Sequence, residues 1–244
     1  ELIKMLVSDR PGLLLEAYEL GITAQFLPEF DRLMKTEQET PHHMYNVGEH
    51  TIHAIENVRT DKILRLTMLL HDMGKPALKT MDVSGRAHFK KHAFESEKIA
   101  GNVLRRLRFD NDTLRKVTRL VYYHDYRMPA EAENVRRAVN RIGEDLFSYY
   151  MEVRRADVLA QSMYRREEKI RNLDEIEELY SDIVKKEQCV SLKKLAVTGK
   201  DLIEAGMEPG KEIGKKLNEL LELVIEKPEL NTKKELLKFL WKEK

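Results

Sequence analysis

Apolar residues recur along this chain at three- and four-residue steps, the period of a helix, so most of it is predicted to be helical. Short helices are expected over 1–8, stopped by Pro11-Gly12, and over 13–20, stopped by Gly21. The stretch 26–30 is predicted to turn into another. Longer helices are expected over 47–58, 61–73, 92–107, 112–124 and 131–142, with Gly74 and Gly143 just past two of them. Asp110 or Asn111 would cap the helix at 112–124. From 144 to 197 there is neither Gly nor Pro, which predicts two long helices broken near Asn172. After Val197 the texture changes. A short helix over 198–206 ends in glycine, Pro209 would take a first-turn position, and 210–226 carries Ile213, Leu217, Leu220, Leu221 and Val224 on one face. Thr232 and Glu235 would form a capping box opening the last helix. Residues 78–81 and 86–89, around Asp82-Val83-Ser84-Gly85, make one minor β-hairpin.

The expected fold class is therefore all-α, and composition agrees. Only 11 Gly and 7 Pro stand among 244 residues, and 35% are charged, as long solvent-facing helices require. With 43 cationic and 42 anionic residues the total charge names no partner, although it can hide a basic face. A lone Cys189 excludes an internal disulfide framework and suits a reducing, cytoplasmic setting. No apolar run approaches the roughly 20 residues of a membrane span, so no membrane partner is expected. The chain opens at Glu1, without Met and inside an expected helix, and is read as a piece of something longer.

Several side chains point to a metal. His71-Asp72 ends a run, Ile63 to Leu70, that is apolar except for Arg65 and Thr67, so the last turn of a buried helix delivers both residues inward. His50 lies in line with Val47, Ala54 and Val58. Asp157 falls in the series Leu146, Tyr150, Val153, Asp157, Ala160, Tyr164, a core position where an unpaired carboxylate costs several kcal/mol. His92 and His124 stand at or near helix ends. Each alone has a plainer explanation. A lone buried His is more often hydrogen-bonded in the core, and Asp157 has Arg154 and Arg155 nearby. Together they would need several independent partners, whereas one or two divalent ions satisfy them at once. Nitrogen and oxygen ligands without thiolate suit Mn, Fe, Co, Ni, Zn or Mg alike.

The order His50, His71-Asp72, Asp157 resembles the HD phosphohydrolase superfamily. That resemblance implies a helical bundle in which these four residues hold a metal that activates water against a phosphate ester. His92 and His124 match extra histidines that bind a second metal or grip the substrate phosphate. Lys75, in Gly74-Lys75-Pro76, would face that phosphate, and Asp72 would orient the water.

Leu27-Pro28-Glu29, Pro41 through His50, His71 through Pro76, His88 through His92, Arg105 through Phe109, and the tail from Gly199-Lys200-Asp201-Leu202 to Leu230-Asn231-Thr232 resemble the clostridial type of bacterial CCA-adding tRNA nucleotidyltransferase. This resemblance implies a helical neck and RNA-binding segment over 1–40, an HD domain over 41–190 and a helical tail over 191–244. It also implies an N-terminal nucleotidyltransferase head in the full-length chain. The head's Gly-rich loop and paired carboxylates are not found here. Asp110-Asn111-Asp112 has similar letters but sits where capping residues belong. The implied function is a tRNA-binding body whose metal site hydrolyses nucleotides or 2′,3′-cyclic phosphates. The alternatives are a stand-alone HD nucleotide phosphohydrolase and a non-catalytic tRNA-binding module with a structural metal. Arg136, Arg137 and Arg141, with Arg165, Arg166 and Arg171, either line an RNA-backbone face or form a solvated surface interleaved with glutamates.

Overall fold

A computed structural model describes residues 1–240. Fifteen α-helices and one two-stranded sheet make up its regular structure among these residues, apart from two short 3-10 turns. In chain order the first part contains α1 (Leu2–Leu6), α2 (Leu13–Glu19), α3 (Thr23–Phe26), α4 (Pro28–Met34), α5 (Val47–Glu56), α6 (Lys62–Leu70) and α7 (Lys75–Leu78). The strands β1 (Thr80–Met81) and β2 (Ala87–His88) then pair antiparallel, Thr80 opposite His88 and Met81 opposite Ala87. There follow α8 (His92–Arg106), α9 (Asn111–Tyr123), α10 (Ala132–Ile142), α11 (Phe147–Ala160) and α12 (Arg166–Lys185). Last come α13 (Gly199–Glu204), α14 (Lys211–Glu226) and α15 (Lys233–Leu237). The mostly helical fold and its one hairpin are as expected.

Local chemistry explains most of the boundaries. Asn46 and Glu49 form a reciprocal capping box on α5. Asp61 accepts from the backbone of Ile63 and Leu64 at the start of α6. Asp110 accepts from Thr113 N and opens α9, a capping role that accounts for its acidic neighbours. Three expectations need correction. The break in the long Gly-free stretch falls at 161–165, not near Asn172, because Gln161 is extended and Arg165 adopts a left-handed φ of 54°. Pro209 precedes α14, which is capped at Gly210. Thr232 accepts from Glu235 N, but the reciprocal half of its box does not form.

The chain divides into two compact units. The first comprises Glu1–Arg127 and Asp145–Leu173. Its centre is α6, which touches α1, α5, α8, α9 and α11. Every residue from Ile63 to Leu70 is buried, so the two polar ones need internal partners. Thr67 Oγ1 donates to Ile63 O, and the Arg65 guanidinium donates to Leu6 O at 3.2 Å. Fully burying one Leu or Met contributes about 1.5–3 kcal/mol, and α6 supplies Leu64, Leu66, Met68, Leu69 and Leu70.

The second unit comprises Met128–Glu144 and the chain from Asp174 onward. Its core gathers Cys189, Leu195, Val197, Leu202, Leu220, Leu221, Val224, Ile225, Leu236 and Leu240. Arg136, on α10, is buried here. Its Nε donates to Ile225 O at 2.7 Å, and its other nitrogens to Glu226 O and to Gln188 Oε1. It thus caps the C-terminus of α14, where the last carbonyls lack helical partners. Arg137 lies 3.1–3.6 Å from carboxylate oxygens of Glu133, Glu222 and Glu226. Arg141 is not free either. The backbone-gripping face expected from these three arginines is therefore not a free cationic surface. For Arg136 the reason is long-range: its partners lie 52 to 90 residues away in sequence, beyond the reach of a periodicity.

Candidate metal centre

Five elements of the first unit bring six expected side chains together. His50 comes from α5, His71 and Asp72 from the turn after α6, His92 from the first turn of α8, His124 from the end of α9 and Asp157 from α11. His50, His71, Asp72, His124 and Asp157 are buried, and His92 nearly so. Gly74 makes the turn after the doublet possible. A Cβ there would lie 2.5 Å from His92 O and 2.7 Å from Ser96 N, and Gly74 N donates to Ser96 Oγ at 2.8 Å.

All four imidazoles are oriented in the same way. Nδ1 of His50 faces Ala160 O, that of His71 faces Met68 O, that of His92 faces Phe89 O, and that of His124 faces Val121 O, at 2.6–3.3 Å. A carbonyl only accepts, so each Nδ1 carries the proton and each Nε2 of a neutral ring presents a lone pair inward. Those lone pairs converge. His50 Nε2 and His71 Nε2 are 3.3 Å apart, and His92 Nε2 and His124 Nε2 are 3.0 Å apart. Two lone pairs at such distances repel unless a proton or a cation lies between them.

Asp72 stands between the two pairs. Its Oδ2 is 3.2 Å from His71 Nε2 and 3.7 Å from His50 Nε2, while its Oδ1 is 3.4 Å from His92 Nε2 and 3.6 Å from His124 Nε2. Two potential ligand groups result, His50–His71–Asp72 and Asp72–His92–His124, sharing one carboxylate. Asp157 Oδ1 adjoins the first, 3.1 Å from His50 Nε2 and 3.9 Å from His71 Nε2. Asp72 Oδ2 is buried without a hydrogen bond: Lys75 Nζ lies 2.7 Å away but outside hydrogen-bond geometry. An orphaned carboxylate oxygen beside inward-facing lone pairs fits a divalent cation, and the nitrogen and oxygen donors leave its identity open.

The electrostatics agree. Burial pushes the Asp72 carboxyl up, but the charges of His71 and Lys75 outweigh it and hold it well below the usual carboxylate range. Burial likewise pushes Asp157 up, and His50, His71 and Arg154 outweigh it. Burial lowers His71, yet the carboxylates of Asp72 and Asp157 outweigh it and leave it raised. Burial pushes His92 down to about 4 despite Asp72, which keeps it a neutral donor of its lone pair. The plainer partner for Asp157 is also present: Arg154 approaches its outer oxygen at 3.6 Å while donating to His124 O. Lys75 Nζ donates to Gln38 Oε1 at 2.8 Å and lies over the Phe89 ring.

Three contributors had no periodic signal. His43, on a loop, packs edge-on against His50 with ring centroids 5.1 Å apart, and burial with Lys75 pushes it down to about 2. Gln161 Nε2 donates to Asp157 Oδ2 at 3.0 Å, and its Oε1 accepts from Lys169 Nζ at 2.6 Å. Gln38 links Lys75 to Tyr45 O. Loop residues and helix-end amides repeat with no period, so only the folded chain places them. A cavity of about 420 Å³ opens over the centre, lined by Asp72, Lys75, His92, His124 and Asp157 among others.

Comparison with known proteins sets this geometry in a family. The chain is 31% identical, over 98% of its length, to a CC-adding tRNA nucleotidyltransferase of Thermus thermophilus, of which it covers 55%. Over 56% of the chain it is 32% identical to an A-adding tRNA nucleotidyltransferase of Deinococcus radiodurans, covering 33% of that protein. Over 43% of the chain it is 30% identical to a bifunctional uridylyltransferase/uridylyl-removing enzyme of Ruegeria pomeroyi, covering 13% of it. The chain thus spans about half the length, or less, of the curated relatives it matches. Residues 91–240 match the model of tRNA nucleotidyltransferase domain 2, and on that match, more than half of the chain, this protein belongs to the tRNA nucleotidyltransferase domain 2 family.

Proposed function

We propose that this chain is the HD-type, metal-dependent phosphohydrolase body of a clostridial-type CCA-adding tRNA nucleotidyltransferase. It would act on a nucleotide or a 2′,3′-cyclic phosphate, bind tRNA in the cytoplasm and work with a nucleotidyltransferase head. The observation that carries the hydrolytic part is the common tautomer: four imidazoles with Nδ1 tied to carbonyls and Nε2 converging on one shared carboxylate. His50, His71, Asp72 and Asp157 would hold one divalent ion, and Asp72, His92 and His124 a second. When bound, such ions supply Lewis acidity that polarises a phosphoryl oxygen and lowers the pKa of water.

The chain's own residues do the rest. Asp72, whose Oδ2 pairs with the Lys75 ammonium at 2.7 Å, would orient a water at the cavity floor. Lys75 lines that cavity with its ammonium fixed by Gln38, which places positive charge beside a substrate phosphate. Burial of the floor excludes bulk water and strengthens each of these interactions. The names of the relatives support both halves, since two are tRNA nucleotidyltransferases and one pairs transfer with removal of a uridylyl group.

Protein stripped of metal and reloaded with Mn, Ni, Co or Zn should hydrolyse bis(p-nitrophenyl) phosphate or 2′,3′-cyclic AMP. Asp157→Ala should abolish turnover. Confirmed ion binding with no phosphoester turnover would refute the hydrolase and leave a tRNA-binding module with a structural metal. The same chain should add no CMP or AMP to tRNA lacking its 3′ end, because it presents no paired carboxylates on a strand and no phosphate-cradling loop among the described residues.

A further inference from the structure

The cavity carries more charge at its mouth than one reacting phosphate needs. Arg86, Lys90 and Lys91 all line it, all are exposed, and none forms an ion pair among the described residues. Several other cations are matched by an acid. Lys79 pairs with Glu39, Arg115 with Asp145 and Lys116 with Asp112, and at the mouth itself Arg127 pairs with Asp125. The nearest acid to Lys90 and Lys91 along the chain, Glu95, pairs with Lys98, and the nearest to Arg86, Asp82, is committed as well. It accepts from the backbone of Ser84 and Arg86 and from His88 Nε2, and so fixes the hairpin that presents Arg86.

Another part of the same lining is aromatic. His42 and Tyr164 pack edge-on with centroids 4.8 Å apart, and Tyr164 is half exposed. This ledge is preformed. Ser162 N donates to His42 O at 2.8 Å, and Ser162 Oγ to Pro41 O at 2.6 Å, binding the two loops together.

We propose that the mouth of the cavity binds the end of a single-stranded RNA: a base stacks on the His42–Tyr164 ledge, and Arg86, Lys90 and Lys91 hold backbone phosphates beyond the one at the metal centre. The proposal rests on the hydrolytic reading for the fate of that terminal phosphate. A mononucleotide brings one phosphate, which Lys75 and the centre below already serve, and so leaves three cations idle. An oligonucleotide brings a row of them. A π-face beside a cationic track is the chemistry of sequence-tolerant single-strand binding. A closed duplex cannot reach a cavity floor of imidazoles, whereas a splayed end can.

The test uses the whole chain, a short 5′-fluorescein RNA ending in a 3′-phosphate, and anisotropy across a salt series, with ATP as competitor. Three phosphate contacts on a single strand predict a slope of log K against log salt of about −2. Replacing the three cations together (Arg86→Gln, Lys90→Gln, Lys91→Gln) should flatten that slope. Tyr164→Ala should weaken binding about five- to hundredfold, the loss of one base–aromatic stack. ATP competing as strongly as the RNA itself would overturn the proposal in favour of a nucleoside polyphosphate. So would binding that ignores salt and the triple substitution. The two readings fail separately. Salt-sensitive RNA binding without bis(p-nitrophenyl) phosphate turnover removes the hydrolase and upholds the strand site. Turnover without such binding does the reverse.

Discussion

Replacing Asp72 with Asn keeps its shape and removes its charge at the point where both ligand groups meet. In metal-free protein this leaves the Lys75 ammonium, 6% exposed, with Gln38 Oε1 as its remaining close partner. Breaking a buried ion pair from one side costs about 3–5 kcal/mol. In a domain of this size about 2–4 °C of melting temperature corresponds to each kcal/mol, so the metal-free variant should melt roughly 6–20 °C lower. Divalent ion at a hundred times its Kd should stabilise the unaltered protein by about 2.7 kcal/mol, or roughly 5–11 °C, and leave Asp72→Asn unmoved. The double variant Asp72→Asn/Lys75→Met separates the two effects. It should recover most of the metal-free stability, since no buried charge is then left without its partner, yet still ignore the ion. Scanning calorimetry of the three proteins before and after chelation reads all six values. An Asp72→Asn protein that still gains several degrees with Mn, Ni or Zn would refute the shared-carboxylate reasoning.

Three further outcomes are expected. Gln161→Leu should weaken ion binding about 10–100-fold by titration calorimetry while leaving the fold intact, as loss of a ligand-orienting contact does; unchanged affinity would free Asp157 from Gln161. Arg136→Met should cost about 3 kcal/mol in urea unfolding, because two terminal carbonyls of α14 lose a charged donor, while RNA affinity of the folded protein stays the same; the opposite pattern would restore the arginine face. Burial raises Glu29, but its paired hydrogen bonds to Arg106 outweigh it and hold it below 4.5. A depressed carboxyl stabilises fully above its unfolded value and loses that contribution as pH falls through its folded value. Arg106→Ala should therefore cost about 0.2–1 kcal/mol at pH 7, discounted for a half-exposed guanidinium, and less as pH falls through the folded value of Glu29; a cost unchanged in acid would mean packing and the bond to Phe26 O, not charge, hold the contact.

The clustering of these side chains was largely legible in the sequence because most of them obey a local rule. His50 and Asp157 lie on apolar helical lines, and His71-Asp72 closes a helix buried on every side. What escaped depends on distance along the chain. Gln161 matters because of where α11 stops, and that stop was expected eleven residues later, near Asn172. His43 and Gln38 sit in loops that no period describes. Arg136 shows the converse error. Flanked by Arg137 and Glu133 it looks like part of a charged surface, but its guanidinium is consumed by carbonyls of Ile225 and Glu226. Composition records how many charges there are, and only the fold records which are already occupied.

The interleaving of the two units bears on how this chain can be cut. It leaves the first unit after Arg127, builds α10 into the second, and returns at Asp145 before leaving again after Leu173. Neither unit is an uninterrupted stretch, so neither travels as a cassette. A protein trimmed to its first 173 residues would keep every candidate ligand yet strand α10 without α14, the helix whose end Arg136 caps. Such a fragment would carry those ligands beside a helix stripped of its partner. A first unit made to stand alone would need residues 128–144, α10 included, replaced by a short polar bridge, an excision as well as a truncation.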